Sequence, residues 1–148
     1  MRRVLEANWL LLVGTWGVIA STWVVPLTNK NVVITVMVLT TILCSLAVMG
    51  HKQSSMDGGE VTLSLVDVIS STGRVPKVAL AVTVVLTIAL ALIDWRIGPE
   101  RPDGMKLDEL ADHQHGVRAW LAFLACFQAL GVATASSAIK VRNAWMDL

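Results

Sequence analysis

The chain has 148 residues, 55% of them hydrophobic and 16% charged, with a net charge of +1. That is too apolar for an ordinary soluble domain and too short for more than one helical bundle. The near-neutral balance carries no basic stripe of the kind that repeated phosphate contacts need, which argues against nucleic acid as a partner.

Residues 7–29, 31–50, 78–93 and 119–139 hold no Asp, Glu, Lys, Arg or His. Each run comes close to the roughly 20 residues that a helix rising 1.5 Å per residue needs to cross about 30 Å of hydrocarbon. Lipid offers no partner to a bare N–H or C=O, so each crossing has to be a helix. The expectation is an all-α membrane protein, a single integral domain over residues 1–148. Its four transmembrane helices lie at about residues 8–28, 31–50, 77–95 and 118–139, form two antiparallel hairpins, and have a short amphipathic interfacial helix between the second and third.

The N-terminus opens Met1-Arg2-Arg3 before the first run, and Val18-Ile19-Ala20 has the small-residue look of a cleavage site. The uncharged stretch continues to Asn29, well past the 7–15 residues of a signal core, so it reads as a retained span. Gly14, Gly17 and Ser21 form a small-residue seam on it, and Trp9, Trp16 and Trp23 recur every seven residues on one face. That aromatic face reads as a packing or lipid-facing stripe rather than a pigment or quinone surface. Pro26 and the Thr28-Asn29-Lys30-Asn31 turn leave no room for anything but a hairpin into the second run.

After the second run, residues 62–71 read as the interfacial helix. Ser64 with Asp67 three residues on is a capping pattern, Leu65, Val66, Val68 and Ile69 form the apolar side, and Gly73 and Pro76 end it. Lys77, at the entry to the third span, is placed to snorkel toward phosphates. Ala79, Thr83, Thr87 and Ala91 repeat every four residues along that span. The following loop opens with a turn-rich stretch, residues 98–104, and returns to helical spacing over residues 106–115. In the fourth span Ala125, Ala129, Ala133 and Ser137 form a second small-residue seam, and Gln128 is the most polar mid-span group. Such seams let helices approach closely where no hydrophobic effect drives them together, and a buried amide seeks a partner on a neighbouring helix. Leucine at Ala129 or Ala133 is then expected to block that approach. Cys44 and Cys126 sit inside spans and read as free thiols acting as small hydrophobes.

Topology rests on charge and tryptophan. Arg2, Arg3, Lys52, Arg74, Lys77, Lys140 and Arg142 fall with the termini and the central loop, against Lys30, Arg96, Arg101, Lys106 and Arg118 on the other side. The positive-inside rule places both termini in the cytoplasm of a bacterial inner membrane. Trp23, Trp95 and Trp120 then mark the outer interface, and Trp9 and Trp145 the inner one.

The residues offer little chemistry. A coupled transporter needs an ionisable group at mid-depth, and the spans carry none. Asp108, Glu109, Asp112, His113 and His115 are the one metal-like cluster, but an exposed loop helix lacks the supporting shell a zinc site requires, and they read as a solvated loop. Ser64 and Cys126 lack a base, and no glycine-rich phosphate loop is present. A four-helix membrane enzyme of the glutathione-using kind would want a buried Arg and Asn together, which the spans do not offer. No catalytic, cofactor-binding or metal residue is expected.

From Ser64-Leu65-Val66-Asp67-Val68-Ile69-Ser70-Ser71-Thr72-Gly73-Arg74 to Lys77, the chain resembles the opening of a group of small phage and prophage inner-membrane proteins called holin-like. Trp120-Leu121-Ala122-Phe123-Leu124-Ala125, running on to Ala133, Ala135, Ser136, Ser137 and Lys140, is similar to their second helix. The likeness spans residues 64–142; Val75-Pro76 stands where the group tends to have Ser and Thr, and the first two spans have no counterpart. It implies a phage-related protein that permeabilises the inner membrane by assembling through small-residue seams. The expectation is therefore a non-enzymatic protein whose partners are the lipid bilayer and further copies of itself. The alternative is an accessory or scaffold subunit of a larger membrane complex, such as a secretion, respiratory or photosynthetic assembly or a membrane-containing virion.

Overall fold

A computed structural model describes residues 1–55, 64–97 and 114–146, the side chains of residues 54, 55, 94, 97, 145 and 146 excepted. The described residues form five helices and no strand: α1 (Arg2–Ser21), α2 (Lys30–Ser55), α3 (Leu65–Ser71), α4 (Arg74–Ile97) and α5 (Gln114–Met146). Four of them, α1, α2, α4 and α5, are long and apolar enough to cross a membrane.

The helix ends depart from the charge-free runs for local reasons. α1 stops at Ser21, short of the expected residue 28. Thr22 Oγ1 donates to Ile19 O at 2.6 Å and Ser21 Oγ to Val18 O at 2.7 Å, while the backbone tightens into turns over residues 22–25. Val24 and Val25 are β-branched, and Pro26 forces its predecessor out of helical geometry. At the other boundaries the helices run past the apolar stretch. α5 continues through Lys140 and Arg142, α2 through Lys52, and α4 begins at Arg74 with Pro76 in its first turn, where a missing N–H costs nothing. Charge marks where hydrocarbon ends, and a helix has no need to end there.

α5 is the hub. In its apolar window 67% of residues are buried, against 22% in α1 and α2 and 11% in α4. α1, α2, α3 and α4 all pack on it, and apart from these contacts α1 and α2 also pack on each other. Near one end Ile19, Val33, Val36, Val117, Leu121, Ala122 and Leu124 share a core with Trp16, Leu27 and Leu90 at its edge. Further along, Leu12, Ala125, Ala129 and Val132 form a second core flanked by Leu5, Trp9 and Leu80. α5 is suited to the centre because its seam of Ala and Ser lets three helices come close at once. Its large residues Trp120, Phe123 and Phe127 fall on the opposite face and stay exposed, Trp120 stacked on Phe123 at 5.8 Å between ring centroids and Phe123 edge-to-face with Phe127 at 5.1 Å.

Between α2 and α4 the chain folds into α3, where the sequence places its short helix. Ser64 occupies the N-cap position but its side chain makes no capping bond, and the helix closes at Thr72. Val68 is 1% exposed, and Thr72 Oγ1 donates to Ala133 O of α5 at 2.7 Å.

Candidate functional site

The buried polar side chains gather along α5 at three levels. At its N-terminal end Gln114 clamps the chain leaving α1: Leu27 N donates to its Oε1 at 2.9 Å, and its Nε2 donates to Leu27 O at 3.0 Å. One turn on, Arg118 is 6% exposed. Its Nε and an Nη donate to Thr22 Oγ1 and Thr22 O, both at 2.8 Å, and its guanidinium carbon stands 4.0 Å from the centre of the Trp23 ring. Its other Nη lies 3.2 Å from His115 Nδ1. Arginine only donates, so the contact is a hydrogen bond in the tautomer that leaves Nδ1 free to accept. The fork and the aromatic plate together engage the guanidinium, with no carboxylate paired to it among the described residues.

At mid-depth Gln128 is wholly buried and its Nε2 donates to Thr40 Oγ1 at 2.8 Å, which itself donates to Val36 O at 2.7 Å. Asn8 of α1, also wholly buried, donates back to Val4 O at 2.9 Å and turns its Oδ1 toward Gly131, where an added Cβ would come within 2.6 Å of it and 3.2 Å of Cys44 Sγ. Asn8 Oδ1, Thr15 Oγ1 and Gln128 Oε1 are buried without a hydrogen-bond partner. On the α4 side, Thr87 Oγ1 lies 2.8 Å from Thr83 O and 3.0 Å from Ala122 O, with Cys126 Sγ at 3.2 Å. The third level is the α3 contact, where Ser71 Oγ meets Ser137 Oγ and Lys77 Nζ donates to Ser70 O at 3.1 Å.

A cavity of about 200 Å³ opens between α2, α3 and α5, lined by Cys44, Val48, Leu65, Val68, Phe127, Leu130, Gly131 and Thr134.

The small residues singled out in the sequence divide by helix. Ala125, Ala129, Ala133 and Ser137 are all buried in the chain's own interior. Thr83 is buried, Ala79 and Thr87 half-buried and Ala91 exposed. Gly14, Gly17 and Ser21 are exposed, and a Cβ added at either glycine meets nothing within 4 Å. Of the tryptophans, Trp9 is half-buried against the second core, whereas Trp23, Trp95 and Trp120 are exposed. The side chain of Trp145 lies outside the described residues, as do Asp108, Glu109, Asp112, His113 and all of the helix expected over residues 106–115 except Gln114 and His115, which open α5. Among the described residues no three His, Cys, Asp or Glu side chains cluster to hold a metal.

Sequence reasoning passed over Asn8, Thr22, Thr40, Gln114 and Gly131, and counted Arg118 only as a charge on the outer side. Gln114 and Arg118 carried a signal, being two polar residues four apart on one helical face. Asn8 and Arg118 are the buried Asn and Arg that a glutathione-type site would want, yet they do not meet. Asn8 sits at the level of Gly131, and 13 residues of α5 separate that from Arg118, roughly 20 Å at the helical rise.

No protein-family model, curated protein or solved structure matches the chain.

Proposed function

We propose that this is a non-catalytic, multi-pass protein of the bacterial inner membrane that works by assembling with itself in the bilayer, in the manner of holin-like proteins. The observation that carries the reading is the open face of α1. Gly14, Gly17 and Ser21 are exposed, and nothing among the described residues occupies the space beside the two glycines. The α5 seam is already filled by the chain's own helices, so a second copy has the α1 face and not the α5 face to use.

The topology of the proposal has both termini in the cytoplasm. Asn8 beside Gly131 and Thr22 beside Arg118 support α1 running against α5, while Val33 and Val36 in one core with Val117 and Leu121, Thr40 on Gln128 and Cys44 beside Gly131 support α2 running with it, which together make α1 and α2 an antiparallel hairpin. Leu90 against the core around Val117 and Leu121, and Leu80 against the core around Ala129 and Val132, support α4 and α5 as the second. α3 meets α5 at Ala133 and Ser137, within about 10 Å of Lys140 along the helix, the depth of an interfacial helix.

Inducible expression combined with a potential-sensitive dye and chemical cross-linking tests the reading. Wild type is expected to depolarise the membrane and give a ladder of cross-linked species, and Gly17→Leu to abolish both, with Ala91→Leu on the exposed side of α4 as a control that changes neither. An intact potential with a fixed set of copurifying proteins would replace this reading with that of an accessory subunit.

A further inference from the structure

We propose that the cavity between α2, α3 and α5 holds one acyl chain of an anionic phospholipid, with the head group at Lys52. The proposal stands apart from self-assembly and concerns a single copy of the chain. Val68, Gly131 and Thr134 form the buried floor, while Leu65 at 56% and Phe127 at 45% exposure leave the mouth open to the surrounding hydrocarbon. The two polar groups on its wall are already engaged: the Cys44 thiol donates to Phe127 O at 3.1 Å and Thr134 Oγ1 to Leu130 O at 2.9 Å. A buried water needs two to four polar partners, so a space of about 200 Å³ with this lining is dry. Left empty, it deprives its wall of dispersion contacts that a neighbouring lipid tail supplies.

Charge selects the head group. Cys44 and Val48 line the cavity, and Lys52 follows on the same stripe of α2, one turn of about 5.4 Å beyond Val48, exposed and free to snorkel. α5 likewise runs on from Thr134 to Lys140 and Arg142. Asp67 is the only carboxylate among the described residues of the three helices. Among the described residues of these helices, the cations beyond this end of the cavity, Lys52, Lys140 and Arg142, outnumber the one acid, which favours a phosphate that carries net negative charge.

The test uses the full chain in phosphatidylcholine vesicles doped with phosphatidylglycerol that bears a photoreactive diazirine halfway along one acyl chain. Photolysis followed by peptide mass spectrometry is expected to label residues 127–134 and Val48 several-fold above Val85 and Ile88 on the outer face of α4. Unlabelled phosphatidylglycerol is expected to compete about fivefold better than phosphatidylcholine, the ratio that one surface lysine provides. Val48→Phe fills the space and removes the enrichment; Leu65→Trp does the same from an exposed position, should the first variant fail to fold. Lys52→Gln keeps the labelling and levels the competition. Labelling of residues 127–134 that only equals that of α4, that survives both filling substitutions, or that the two lipids compete equally overturns the proposal.

Discussion

Gly131 and Asn8 show how one missing side chain sets a helix contact. An alanine at residue 131 would place its Cβ 2.6 Å from Asn8 Oδ1 and 3.2 Å from Cys44 Sγ, too close without displacement of both. Forcing atoms into a packed interior costs about 1–3 kcal/mol. Gly131→Ala is therefore expected to lower the thermal unfolding midpoint of the purified protein. Asn8→Ala removes the obstructing amide, together with a carbonyl oxygen that has no partner, so the double variant is expected to recover most of the loss. Simple additivity of the two changes would mean that Asn8 and Gly131 do not touch. This pairing was not legible in the sequence. Glycine inside a span suggests close approach without naming the neighbour, and Asn8 lies 123 positions away in the chain. Gln128 was legible as a buried amide because hydrocarbon leaves it no alternative, but Thr40 as its partner was not.

Helix identity was legible and helix extent only partly so, because the two answer to different forces. The absence of charge over some 20 residues reports the apolar medium, so four spanning helices could be read directly. Their ends depend on backbone geometry: the turns over residues 22–25 before Pro26 close α1 at Ser21, and nothing stops α5 at Lys140. α3 was visible as a short amphipathic segment, yet its seven residues are too few to hold a helix unaided. Val68 buried on α5 and the Thr72 hydroxyl on Ala133 O supply what its length does not. Thr72→Val keeps the shape and deletes that bond, which is expected to cost about 1 kcal/mol. Amide hydrogen exchange over residues 65–71 should rise about fivefold, while exchange at the centre of α5 stays unchanged. Equal acceleration of both segments would tie α3 to the global unfolding of the bundle and refute its separate docking.

At the scale of the whole molecule, packing and orientation are set by different residues. The bundle is held by α5 and its buried polar contacts, none of which distinguishes one face of a membrane from the other. Orientation is left to the balance of Lys and Arg beyond the hydrocarbon. In the proposed topology Arg2, Arg3, Lys52, Arg74, Lys77, Lys140 and Arg142 stand on one side against Lys30, Arg96, Arg101, Lys106 and Arg118 on the other. That margin is narrow, and acidic residues do little to widen it. Two more lysines where α1 passes into α2, one before α2 and one in its first turn, would erase it. Thr28 and Asn31 are exposed there, so the substitutions leave the core intact. Reporter domains fused in turn to each terminus are expected to give a cytoplasmic signal alone for wild type, and signal on both sides of the membrane for the Thr28→Lys, Asn31→Lys variant. A wild-type chain whose two termini report from opposite faces would contradict an even number of crossings. A doubly substituted chain that keeps one orientation would show that the hairpin inserts under a constraint other than charge.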